Sequence, residues 1–164
     1  MQNDDYLKKQ IITYLGNKRK LIHNIEEIVK RIYDEKNAKL IVGDGFSGSG
    51  VVSRMLKRYS EELYVNDISD YSKILNHCFL SNISSQSLQE LTNFINESNS
   101  YVDSKLESKE ELKEPWVSKH WAPCGEITDK DRVYFTENNG KRIDWYYNYI
   151  QTKVPDSYKH FLHA

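Results

Sequence analysis

The stretch GDGFSGSG, residues 43–50, puts four glycines and two serines between the runs Lys39-Leu40-Ile41-Val42 and Val51-Val52-Ser53-Arg54-Met55-Leu56. The short apolar run before it reads as a buried strand. Val51, Val52, Met55, Leu56 and Tyr59 recur after it at helical spacing. A second short strand, Leu63-Tyr64-Val65, ends at Asn66-Asp67. Strand, helix and strand in so few residues imply a parallel pair joined by a right-handed crossover. The glycine loop then lies at the carboxyl edge of the sheet, where open α/β folds bind ligands. Its glycines let backbone approach a ligand closely and adopt positive φ.

Around this unit, residues 21–36 read as a helix, with Leu21, Ile22, Ile25, Ile28, Val29, Ile32 and Tyr33 on one stripe. Tyr71, Ile74, Leu75, Cys78 and Phe79 mark another. Ser87 and Glu90 have the spacing of a capping box for a fourth helix carrying Leu88, Leu91 and Ile95. Residues 96–114 are polar and read as a linker, or as an exposed helix around 105–114. From 115 the chain turns aromatic: Trp116, Trp121, Tyr134, Phe135, Trp145, Tyr146, Tyr147 and Tyr149. Val133–Thr136 reads as a strand. Ile143, Tyr147 and Ile150 suggest a short amphipathic helix, and Asp156 a cap for one more.

The 164 residues suffice for one domain. A net charge of −1 gives no global basic field, though Lys8, Lys9, Lys18, Arg19 and Lys20 cluster near the start. No apolar run approaches the ~20 residues of a membrane span, and the start lacks the apolar core of a signal peptide. Cys78 and Cys124 form no disulfide framework, so a reduced, cytoplasmic setting is expected. His120, Cys124, Cys78, His160 and His163 match no standard zinc spacing, and no metal site is expected. Trp116 and Trp121 suit either base stacking or, more simply, a small core.

Two ligands compete for the loop. NAD brings a pyrophosphate, which favours the positive end of a helix and is repelled by a carboxylate inside the loop. S-adenosylmethionine has no phosphate; its sulfonium and ammonium are cationic and suit Asp44. In either reading Asp67 is placed to accept hydrogen bonds from ribose hydroxyls. Charge therefore favours S-adenosylmethionine, with NAD and a ligand-free glycine turn as the alternatives. Upstream, ITYLGNKRKLI at 12–22 sets a Gly16-Asn17 turn beside Lys18-Arg19-Lys20. Cations are unfavourable at a helix N-terminus, so three of them point to an anionic partner or a ligand carboxylate. Tyr14 offers a ring face to an adenine.

Tyr14-Leu15-Gly16-Asn17-Lys18, then Asp44-Gly45-Phe46-Ser47-Gly48-Ser49-Gly50, then Asn66-Asp67, resemble in order and spacing the opening motifs of Dam-type DNA adenine-N6 methyltransferases. YFTENNGKRID at 134–144 resembles that family's stretch after the cofactor motifs. The resemblance implies a partial Rossmann-like S-adenosylmethionine-dependent methyltransferase fold, α/β, with parallel strands and flanking helices. It implies that Tyr14 and Lys18 contact S-adenosylmethionine, that Asp44, Phe46, Gly48 and Gly50 shape its methionine end, and that Asp67 holds its ribose. Residues 1–95 would be the cofactor-binding part, 96–114 a linker or exposed helix, and 115–164 the start of a target-recognition region. The implied partner is double-stranded DNA with the target adenine flipped out.

The family's catalytic loop, Asp/Asn/Ser-Pro-Pro-Tyr/Phe/Trp, is not here: Pro115, Pro123 and Pro155 stand apart. No catalytic residue is assigned. The resemblance implies the front portion of a longer, adenine-specific enzyme of restriction–modification or replication marking. The rival reading is a non-catalytic S-adenosylmethionine-binding piece completed by a C-terminal chain. Two strands alone cannot form a well-covered parallel sheet, so exposed strand edges and association are expected.

Overall fold

The computed structural model describes residues 6–7, 18–123, 125–129 and 133–164. Tyr14, Gly16, Asn17 and Cys124 lie outside the described residues. The contacts divide the chain at Asn82/Ile83 into two compact units, with Ala164 grouped with the first.

In the first unit, from residue 18 on, a 3-10 turn, Lys18–Leu21, runs into α1, Ile22–Lys36. Asn37 ends α1 in the left-handed region (φ 48°), its N–H bonded to Tyr33 O at 2.9 Å. Asn tolerates that conformation and closes helices for this reason. Strand β1, Leu40–Asp44, leads through the glycine loop to α2, Val51–Leu56, then β2, Ser60–Val65, and α3, Asp70–Leu80. The strands are parallel, with Val42 opposite Leu63 and Asp44 opposite Val65, and a register shift between Leu40 and Ile41. The α/β reading thus stands as a two-stranded parallel sheet with flanking helices.

Burial alternates along β1 and along the second half of β2, from Glu62 to Val65. Val42 and Leu63 face a core of Leu7, Met55 and Leu56, joined by Ile22, Ile25 and Val29 of α1. Burying such side chains contributes roughly 1.5–3 kcal/mol each. The other face is bare: Ile41 is 69 % and Tyr64 63 % exposed. The α1 stripe is likewise wider than its cover, leaving Leu21, Ile28 and Ile32 exposed. Parallel sheets are normally covered on both faces; here one face carries the exposed Ile41 and Tyr64.

The second unit is helical among its described residues: α4, Ser85–Glu107; α5, Val117–Trp121; α6, Glu137–Lys153; and α7, Asp156–His163. The cap of α4 is Ser84, whose Oγ accepts the Ser87 N–H at 3.0 Å; Ser87 is the donor rather than the cap. The helix also runs to Glu107, through residues that show no aliphatic stripe. What holds them is an aromatic and polar seam. Tyr101 packs on Trp145 and Tyr149, with ring centroids 6.0 and 5.3 Å apart. Tyr149 donates to Glu97 at 2.9 Å, and Val102 is fully buried. Burial, reinforced by that Glu97 bond, pushes the Tyr149 phenol up to about 12.

The strand expected at Val133–Thr136 does not form. Thr136 instead caps α6, its Oγ1 accepting the Asn139 N–H at 3.2 Å. Asp156 is the first residue of α7 rather than its cap, and pairs with Lys159 at 2.7 Å. Trp116 stands exposed, whereas Trp121 is partly covered and meets Tyr134 at 5.2 Å between ring centroids. Among the described residues no helix is long and apolar enough to cross a membrane, and no three His, Cys, Asp or Glu side chains form a metal-binding group.

Candidate functional site: the glycine loop

The ends of β1 and β2 meet at the loop. Asn66 N donates to Asp44 O at 2.9 Å, extending the parallel ladder by one bond, and Ser47 N returns to Asn66 O at 3.1 Å. Asn66 Nδ2 donates to Gly45 O at 3.1 Å. The strand end that carries Asp67 is therefore stitched to the loop along its length.

Asp67 receives the Gly48 N–H on one carboxylate oxygen at 2.8 Å and the Ser69 N–H on the other at 3.0 Å. These backbone donors, Ser69 foremost and then Gly48, hold its carboxyl below the usual range. A carboxylate offers about four acceptor positions, and the two backbone N–H groups take one on each oxygen. Asp44 accepts from Ser53 Oγ at 2.6 Å. Ser53 is completely buried on α2, so the Asp44 carboxylate is oriented from beneath.

Gly48 and Gly50 carry φ of 52° and 75°, where a side chain costs roughly 1–2 kcal/mol. Gly50 N closes the turn on Ser47 O at 2.9 Å. Phe46 projects from the loop, 83 % exposed. Lys18, from the segment before α1, donates its ammonium to Phe46 O at 3.3 Å. Beneath the loop, Arg54 donates from Nη1 to Tyr6 O at 2.7 Å, and its guanidinium lies 4.5 Å from the Phe79 ring. Burial lowers its pKa.

Lys18, Asp44, Phe46, Gly48, Gly50 and Asp67 thus gather at one sheet edge. Tyr14 is outside the described residues. Sequence reading missed two neighbours, Ser53 and Asn76. Asn76, on α3, donates from Nδ2 to Ser47 Oγ at 3.0 Å and Gly48 O at 3.3 Å. The available signal was polar spacing: Ser72 and Asn76, four apart, share the buried face of α3 with Leu75, while Tyr71 of the expected stripe is exposed. A cavity of about 420 Å³ opens beside this network, lined by Ser47, Asn66, Asp67, Lys73, Asn76 and His77 among others.

Comparison with known proteins agrees with the motifs. The family described as D12 class N6 adenine-specific DNA methyltransferase matches residues 14–159. The chain is 27 % identical over 135 residues to the Type II methyltransferase M.NlaIII of Neisseria lactamica, over 81 % of this chain and 36 % of that relative. It therefore spans little more than a third of that relative's length. No solved structure matches it. The loop, the acid at the second strand end and the extent of the match lead to one conclusion: the chain belongs to the D12 class of N6 adenine-specific DNA methyltransferases.

Proposed function

We propose that this chain binds S-adenosylmethionine at the glycine loop and serves a methyltransferase acting on adenine N6 at a specific site in duplex DNA. The observation carrying the choice of ligand is where the loop amides point. The N–H groups of Ser47, Gly48 and Gly50 are donated to Asn66 O, Asp67 and Ser47 O. A pyrophosphate needs such amides as donors, and here they are used within the protein, beside the carboxylates of Asp44 and Asp67. A cationic, phosphate-free ligand suits this arrangement better than NAD does.

In this reading Asp67 accepts the ribose hydroxyls on its remaining lone pairs, Asp44 faces the positive methionine end, and Lys18 meets its carboxylate. Gly48, Gly50 and Phe46 shape that end, and Tyr14 offers its ring to the adenine. When bound, S-adenosylmethionine supplies the electrophilic methyl. The β1–α2–β2 unit would belong to a Rossmann-like methyltransferase fold, and residues 115–164 to the target-recognition region. A cytoplasmic enzyme with access to DNA follows from the same reading.

The second reading is a donor-binding piece that is active only with a complementing chain. Calorimetry with S-adenosylmethionine and NAD tests the ligand; binding of NAD alone would overturn the proposal. Methyl transfer to duplex DNA from tritiated donor, by this chain alone, would overturn the second reading.

A further inference from the structure

Asn76 is 7 % exposed, and its side chain meets the loop on two sides. Its Nδ2 has three acceptors: Ser72 O at 2.8 Å on its own helix, Ser47 Oγ at 3.0 Å and Gly48 O at 3.3 Å. An amide has two such hydrogens, so one serves α3 and the loop acceptors share the other. On its other side Oδ1 is buried without a hydrogen-bond donor and lies against Gly50. A Cβ on Gly50 would come within 2.3 Å of Oδ1 and 3.2 Å of Cγ. Flipping the amide would forfeit the bonds to Ser72 O and Gly48 O, two carbonyls that can only accept, so the network fixes its orientation. Gly50 thus lacks a side chain for two reasons, its positive φ and the amide occupying the space.

We infer that Asn76 is a positioning residue for the donor site: from α3 it sets the Ser47–Gly50 turn against which the methionine end of S-adenosylmethionine lies. The inference rests on the donor reading above for its ligand, and on the hydrogen bonds alone for the turn. A buried acceptor without a donor is costly. Here it accompanies an amide whose donors reach two consecutive loop residues, Ser47 and Gly48, that flank the Asp67 contact.

The test uses Asn76→Asp, which keeps the shape and removes the donor, and Asn76→Ala, in the full chain. Affinity is measured for S-adenosylmethionine and for 5′-methylthioadenosine, which has the adenine and ribose but no amino-acid end. Hydrogen exchange of the Gly48 and Gly50 amides is followed by NMR in the absence of ligand. The expected result is a loss of about tenfold or more in S-adenosylmethionine affinity, the scale of one hydrogen bond, with methylthioadenosine affinity changed less than threefold. Faster exchange at both glycines is expected in each variant. Equal losses for both ligands would mean a merely structural role and overturn the inference, as would unchanged glycine exchange. If the unaltered chain binds neither ligand, the donor reading fails, and the exchange data still decide whether Asn76 sets the turn.

Discussion

The Gly48 N–H donates to Asp67 Oδ2 at 2.8 Å, across 19 residues of chain. One bond joins the glycine loop to the carboxylate at the end of the next strand, so the expected methionine and ribose contacts share one rigid piece of structure. Asp67→Asn should break this: a carboxamide has one acceptor oxygen and presents hydrogens where the carboxylate accepts. S-adenosylmethionine affinity should fall by about tenfold or more, read by calorimetry.

The same carboxyl sets a pH limit. Its folded pKa is depressed by the Ser69 and Gly48 N–H groups. The stabilisation is therefore present above the unfolded value, about 3.9, and is lost as pH falls through the folded value. Gly48 amide protection should stay flat from neutrality to about pH 5 and decline only below about 4, as read by hydrogen exchange corrected for intrinsic rates.

Lys18 reaches the loop from the segment before α1. Lys18→Ala should weaken S-adenosylmethionine binding about tenfold, the scale of one hydrogen bond to a charged group. Decarboxylated S-adenosylmethionine, which lacks the anionic group assigned to Lys18, should be unaffected by the change. Equal loss for both ligands would remove Lys18 from that role.

In the second unit one carboxylate holds the start of α5. Asp144 accepts from the N–H groups of Trp116, Val117 and Ser118 at 3.1, 2.7 and 2.8 Å and from Ser118 Oγ at 2.6 Å. Gly140, one turn earlier on α6, leaves room for the approach: a Cβ there would come within 2.9 Å of Ser118 Cα. Asp144→Ala should cost about 2–3 kcal/mol, measured by denaturant unfolding, while S-adenosylmethionine affinity is unchanged.

Tyr149 gives the alkaline limit of that unit. Its folded pKa, about 12, lies above the unfolded value of about 10. Stability from this group is full below about pH 10 and is lost as pH rises toward 12. Tyr149→Phe should remove that part of the pH dependence in unfolding measurements.

Much of the geometry of the candidate site was legible because its signals are local. Glycines at positions of positive φ, an acid within them and another at the next strand end follow from neighbouring letters. The residues missed act through space. Ser53 and Asn76 are polar letters on buried helical faces, and only packing shows that one holds Asp44 and the other Ser47 and Gly48. The length of α4 was hidden because its second half is held by aromatic and hydroxyl contacts with α6 rather than by an aliphatic stripe. The Val133–Thr136 stretch has strand-like letters, but Thr136 capping of α6 prevails.

The sequence alone determined the strand–loop–helix–strand order and the sign of charge at the loop, because backbone freedom and formal charge belong to residue types. Tertiary structure decided which amides remain for a ligand, since that depends on groups far apart in the chain. Gly48 N–H goes to Asp67, Ser47 N–H to Asn66, and the Asn76 amide closes over both. Hydrogen-bond capacity is written in each residue, but how it is spent depends on which residues folding brings within about 3 Å.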